Sequence, residues 1–97
     1  MTSNLRKTLE AVEANPGHWN QRHWHCGTNH CFAGFADLLI DNYPVYCESG
    51  LTLKHSRFVL KNWLGITHEQ WESLIRKSNR LDDLRRIVNE IEAERAT

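Results

Sequence analysis

The sequence predicts an all-α fold, a compact single-domain bundle of about five short helices. The chain has 97 residues, a length that supports one hydrophobic core and not two. Apolar residues recur three and four positions apart in successive segments, which is the spacing of a buried helix face. Proline, glycine and helix-capping residues separate these segments, so residues 1–97 are expected to form one domain.

The helices are predicted in order from their capping and terminating residues. Ser3 or Asn4 begins the first helix, and residues 15–17 (Asn-Pro-Gly) end it. Thr28 or Asn29 begins the second, which is apolar nearly all round and is expected at the centre of the core. The further elements are an irregular loop over 18–27, a short hairpin near 45–53, and helices that begin after Ser56, Thr67 and Ser78–Asn79.

The last three helices carry more specific expectations. Thr67 and Gln70 have the spacing of a capping box, in which each side chain accepts from the other's backbone N–H. The third helix is expected to turn four apolar residues inward, namely Val59, Leu60, Trp63 and Leu64. The fifth presents a stripe for which packing on the chain's own core, and hence a monomer, is favoured over a homodimer: Leu81, Leu84, Val88 and Ile91.

Composition disfavours several classes of function. Twelve lysines and arginines balance twelve acidic residues, so no overall charge attracts nucleic acid. No apolar run approaches the ~20 residues that span a membrane, and the start of the chain lacks a secretory pattern. We therefore expect a cytoplasmic protein with reduced thiols, and the odd number of three cysteines agrees with this.

One short segment concentrates the residues that carry chemistry. Residues 18–31 contain four of the six histidines, two of the three cysteines and two of the four tryptophans. Packing alone does not account for so many histidines, so a site is expected here. Three functional interpretations and one purely structural interpretation follow from it.

The favoured interpretation is a protein-binding surface. Trp19, Arg22, His23 and Trp24 lie in the predicted loop, and tryptophan and arginine are enriched where protein interfaces are strongest. The chain lacks a complete catalytic set, so we expect a non-enzymatic protein without a cofactor. It is predicted to bind a larger protein in the cytoplasm through this loop and the adjoining helix surfaces.

The second interpretation is a zinc-stabilised domain, whose predicted ligands are Cys26, Cys31, His25 and His30. Cysteine and histidine are the ligands that structural zinc sites use. A separate second ligand pair, which such sites usually have, is not evident in the sequence.

The third interpretation is a thiol enzyme with Cys31 as nucleophile and His30 as base. In the first turn of the second helix, unpaired N–H groups would favour the thiolate of Cys31. The structural alternative is that both cysteines are simply buried, and that Gly27 and Thr28 form a turn into the helix.

The segment also resembles a small family of phage and bacterial proteins. The shared pattern is Cys-Gly-Thr-x-x-Cys-x-Ala-Gly-x-Ala, which runs here from Cys26 to Ala36. Phe35 occupies a variable position of this pattern at which the family is expected to have tryptophan, and the second half of the chain resembles the family in its helix punctuation. The resemblance implies a helical fold, a fixed Cys-Gly-Thr junction and a role as an accessory protein that modulates a larger host or defence protein. It carries no catalytic residue over to this chain.

Overall fold

The fold was determined from a computed structural model, which describes residues 3–21, 25–26, 29–44 and 55–95, with only the backbone described at 25, 26 and 29. Over these residues the chain is an all-α single-domain bundle of five helices, as predicted. None of these helices combines the length and the apolar character that a membrane crossing needs. The elements are α1 (Asn4–Ala14), a 3₁₀ turn (Pro16–His18), β1 (His25–Cys26), β2 (Asn29–His30), α2 (Phe32–Ile40), α3 (Arg57–Leu64), α4 (His68–Leu74) and α5 (Leu81–Arg95).

Helix α1 begins and ends where the sequence predicts. The Ser3 hydroxyl accepts a hydrogen bond from the backbone N–H of Arg6 at 3.0 Å, which caps the first turn. The helix ends at Ala14, and the proline two residues later starts the 3₁₀ turn. Its apolar face is fully buried against the rest of the bundle and consists of Leu5, Leu9 and Val12.

Helix α2 begins later than predicted, because residues 29 and 30 belong to a hairpin. Strands β1 and β2 pair antiparallel, with His25 opposite His30 and Cys26 opposite Asn29. The His30 carbonyl also accepts from the backbone N–H of Asn20 at 2.8 Å. These bonds hold residues 29–30 in extended conformation, so the predicted helix start at Thr28 or Asn29 is wrong, and Cys31 occupies the N-cap position.

Helix α2 is the central element of the core, as its nearly continuous apolar sequence predicts. The seven residues from Phe32 to Leu38 are buried, and the helix packs against α1 and α3. The predicted hairpin near 45–53 lies outside the described residues.

Helix α3 confirms its predicted cap and end but corrects its predicted inner face. Ser56 caps the helix, and Gly65 ends it in the left-handed conformation with φ of 71°. Leu60 and Leu64 are buried, whereas Val59 is 43% exposed. Successive helix positions are rotated by about 100°, so a face centred on Leu60 and Leu64 directs Val59 away from the core.

Helices α4 and α5 complete the bundle. Both hydrogen bonds of the predicted capping box between Thr67 and Gln70 are present. Helix α5 begins at Leu81 instead of Ser78–Asn79, because the Asn79 side-chain amide donates to the Ser73 carbonyl at 2.6 Å and so closes α4. The α5 stripe is buried within the single chain at Leu84, Ile87, Val88 and Ile91, with Leu81 packed beside it.

Candidate interaction face

The histidine-rich segment contributes more to the core than the sequence predicts. Of the four predicted partner-binding residues, the structure describes only Trp19, since Arg22, His23 and Trp24 lie outside the described residues. The Trp19 ring packs against the hydrophobic core, and its indole N–H donates to the side-chain oxygen of Gln21 at 3.0 Å. Trp19 therefore has a structural role in the core.

Gln21 joins three parts of the fold through one buried amide. Gln21 is buried, with only 7% of its surface exposed. Its oxygen accepts from the Trp19 indole and from the backbone N–H of Phe32 at 3.2 Å, and its nitrogen donates to the Leu74 carbonyl at 2.6 Å. Because Cys31 provides no side-chain cap, Gln21 satisfies the first turn of α2 from eleven residues away. The sequence analysis did not identify Gln21.

His30 and Cys31 are both buried at the entrance to α2. The His30 residue is 0% exposed, and its ring meets the Phe35 ring edge-on, with centroids 6.0 Å apart and planes at 89°. Cys31 is 6% exposed. Desolvation raises the pKa of the Cys31 thiol, against the opposing effect of hydrogen bonds with the backbone of Gly34 and Ala33. The buried thiol thus stays protonated near neutral pH, which makes it a weak nucleophile.

The predicted zinc ligands are only partly within the described residues. Among the side chains that the structure describes, no three of histidine, cysteine, aspartate or glutamate gather as a metal site would require. The side chains of His25 and Cys26 are not among them. The zinc interpretation stays a prediction.

A second polar cluster, which the sequence analysis did not identify, connects α2 to the entrance of α3. Asp37 is fully buried, and its carboxylate accepts a hydrogen bond from the backbone N–H of His55 at 2.8 Å. The His55 ring lies 2.6 Å from the Asp41 carboxylate, measured from Nε2 to Oδ2. Two acids on one side of α2 thus hold both the backbone and the ring of the residue that leads into α3.

A pocket of about 240 Å³ lies between the entrance of α2, the start of α3 and the end of α4. Its polar boundary includes Gln21, and Arg57, Glu72 and Lys77 stand at its edge. Its apolar lining is formed by Cys31, Ala33, Trp71 and Ile75. The pocket therefore adjoins the histidine-rich segment on one side and α3 on the other.

The start of α3 displays apolar side chains to solvent. Phe58 is 70% exposed and Val59 is 43% exposed, and they are the exposed large apolar side chains among the described residues. The ammonium of Lys61 lies 5.0 Å from the centre of the Phe58 ring, which is a cation–π contact. An aromatic side chain this exposed contributes little to the stability of its own chain.

A row of polar contacts joins Phe58 to the pocket. The Lys61 ammonium lies 3.4 Å from Nδ1 of His68, and Nε2 of His68 lies 3.2 Å from the Glu72 carboxylate. The surface that this row makes continuous is called the α3–α4 face, defined by Arg57, Phe58, Lys61, His68, Glu72 and Lys77.

The α3–α4 face carries cations that lack acidic partners. Arg57 and Lys77 form no ion pair within the part of the chain that the structure describes. By contrast, Arg85 on α5 is paired with Glu13 at 2.8 Å and with Asp82 at 3.0 Å. The cations of the α3–α4 face are therefore available to an external acid.

A larger groove of about 320 Å³ between α4 and α5 is a weaker candidate. Its lining contains three acids and two bases, and Arg86 pairs with Glu90 within it at 3.4 Å. Solvated charges that neutralise each other offer little binding energy to a partner. The α3–α4 face combines exposed apolar area with unsatisfied charge, so it is the better candidate for binding.

Comparisons with models of known families, with curated proteins and with solved structures find no match to this chain. The resemblance to a phage and bacterial family therefore stays a prediction from the Cys-Gly-Thr motif.

Proposed function

We propose that this protein is a small, non-enzymatic binding module that regulates a larger protein by covering part of its surface. The observation that carries the proposal is the exposure of Phe58, at 70% of its surface, beside Arg57, which forms no ion pair within the described residues. Aromatic residues and arginine are enriched in the parts of protein interfaces that contribute most to affinity. Burying an exposed phenylalanine in a complex contributes about 1.5–3 kcal/mol, which is energy that the free chain does not use.

The partner surface is apolar and bordered by acidic side chains. In the complex the Phe58 ring is buried against an apolar contact, and Arg57 and Lys77, which form no ion pair within the described residues, pair with carboxylates of the partner. Complementary charges of this kind guide two proteins into one orientation. The predicted loop residues Arg22, His23 and Trp24 belong to the same proposal, because Gln21, which precedes them in the sequence, lines the pocket together with Cys31.

The family resemblance supports a more specific role for the same surface. We infer that the protein is an accessory protein of a phage or mobile element, and that it inhibits or modulates a host or defence protein in the cytoplasm. Its small size fits a mechanism in which one chain blocks one surface of its partner. Membrane and nucleic acid are not proposed as partners.

The proposal is tested by capture followed by reconstitution. Tagged wild type, Phe58→Glu and Lys7→Glu are incubated with lysate of the native cell, and captured proteins are quantified by mass spectrometry. A protein captured by wild type is then purified, and its Kd for each variant is measured. Loss of the phenyl contact is expected to weaken binding at least about tenfold for Phe58→Glu.

The Lys7→Glu variant controls for added negative charge, since Lys7 is exposed on α1 and lines a different pocket. It is expected to bind like wild type. Both variants should keep their fold, because exposed substitutions usually change stability by less than about 0.5 kcal/mol. Equal affinity of wild type and Phe58→Glu for the purified protein overturns the proposal, and so does the absence of any protein whose capture depends on Phe58. Sedimentation showing that Phe58 instead mediates a homodimer overturns it as well.

A further inference from the structure

The size of the pocket on the α3–α4 face restricts what it can hold. Its volume of about 240 Å³ is smaller than the about 300–1,000 Å³ of pockets that enclose complete small-molecule ligands. A single large side chain is the kind of group that matches this volume. The pocket is therefore suited to a group the size of one side chain, such as a residue that a larger partner presents.

The lining of the pocket determines the chemistry of that residue. Cys31, Ala33, Trp71 and Ile75 offer carbon and sulfur atoms, and the Cys31 thiol is held in its neutral form by burial. An uncharged lining of this kind favours an apolar side chain, because a polar group would lose its hydration there without replacement.

The edge of the pocket adds a requirement for negative charge. Arg57 and Lys77 stand there without ion pairs in the described part of the chain. One acid, Glu72, shares the edge, but its carboxylate already interacts with His68 at 3.2 Å. The two cations therefore exceed the one acid, and a carboxylate at this edge is attracted.

We propose that the pocket binds an apolar side chain that is followed directly by a carboxylate, as presented by an acidic segment of the partner protein. The inference rests on the proposed function and specifies the chemistry that the α3–α4 face recognises. The apolar side chain contacts Trp71 and Ile75 in the pocket, and the carboxylate lies between Arg57 and Lys77. The chemistry is that of an acidic peptide with one aromatic or aliphatic residue at its centre.

The test uses phenylacetate, phenylacetamide and phenethylamine, which share a phenyl ring and carry a negative, a neutral and a positive group. Each is titrated into the full ¹⁵N-labelled protein, and Kd values are taken from the shifts of the amide and indole signals. Phenylacetate is expected to bind about two- to fivefold more tightly than phenylacetamide, the gain typical of an exposed charge pair, and phenethylamine more weakly than both. The shifts should centre on Ala33, Trp71 and Ile75.

Variants assign the charge preference to the two cations. Lys77→Gln and Arg57→Gln are each expected to remove most of the preference for phenylacetate while the affinity for phenylacetamide stays within about twofold. Lys7→Gln, at a different pocket, should leave all three affinities unchanged. Site-resolved alkylation gives a second measurement, in which phenylacetate slows the modification of Cys31.

Equal affinity for the three compounds, shifts centred elsewhere, or no binding overturns this inference. None of these results bears on the capture experiment with Phe58→Glu, because no partner protein is present in the titration. Conversely, failure of the capture experiment with success of the titration would leave a pocket of the proposed chemistry on a protein that does not bind through Phe58.

Discussion

Replacing Gln21 with methionine tests whether the buried side-chain amide of Gln21 stabilises this fold. The substitution keeps the length of the side chain and removes its oxygen and nitrogen. The buried backbone N–H of Phe32 then loses its hydrogen-bond acceptor, which costs about 1–3 kcal/mol. The partly buried indole N–H of Trp19 also loses its acceptor, which costs about 0.5–1.5 kcal/mol. The Leu74 carbonyl still accepts a hydrogen bond from the Asn79 side-chain amide at 3.3 Å, so the loss of its bond with Gln21 adds little to the destabilisation. We therefore expect the free energy of unfolding to fall by about 1.5–4.5 kcal/mol.

Gln70→Met is the matched control, because the Gln70 side-chain amide also forms hydrogen bonds, two against the three of Gln21, but lies near the surface. Its oxygen accepts from the Thr67 N–H at 2.9 Å, and its nitrogen donates to Glu94 at 3.2 Å. Water can replace both bonds, so the cost should stay below about 1 kcal/mol. Urea unfolding followed by far-ultraviolet circular dichroism measures the stability of both variants. Gln21→Met should also lower the Tm by about 6–36 °C. If the two variants are destabilised equally, burial of the Gln21 amide does not stabilise this fold.

Two further predictions concern single residues with clear physical roles. Gly65→Ala should lower the free energy of unfolding by about 1 kcal/mol, since Gly65 has φ of 71° and an added Cβ would lie 3.1 Å from the Arg95 guanidinium. Gly65→Asn should cost less, because asparagine tolerates this conformation, and a larger loss in urea unfolding for Asn than for Ala would contradict the argument. Burial raises the pKa of the Cys31 thiol, so the folded state keeps its proton after the unfolded thiol has ionised. The contribution of the Cys31 thiol to the free energy of unfolding should thus be fully present below the unfolded pKa of about 8.5 and be lost as pH rises above it. The free energy of unfolding should therefore fall less steeply with pH in Cys31→Ala than in wild type. Identical slopes for the two proteins between about pH 8 and pH 10 would disprove that assignment.

The helix ends that the sequence predicts correctly depend on residues only a few positions apart. Ser3, Ser56 and Thr67 each cap a helix through a backbone N–H three residues later. Gly65 ends α3 because glycine adopts the left-handed conformation without steric cost. Interactions of this range are encoded in the local sequence, so they can be read without knowing the fold.

The start of α2 was predicted wrongly because its determinants are not local. The chain at His30 is extended because its carbonyl is bonded to Asn20 and its strand pairs with His25–Cys26. Gln21 then supplies the cap that Cys31 lacks. Neither Gln21 nor the buried Asp37 follows a motif, so their roles depend on contacts that only the folded chain creates.

By itself the sequence determined the helical class, the order of the helices and most of their ends, because hydrophobic spacing and capping act within a few residues. Only the tertiary structure decided, among the described residues, which apolar side chains remain outside the core and which cations form no ion pair. The packing of the helices leaves Val59 exposed together with Phe58, and it brings Arg57 and Lys77 to the lining of one pocket. The physical reason is that exposure and charge pairing depend on neighbours that are distant in sequence, so the α3–α4 face does not exist until the helices pack.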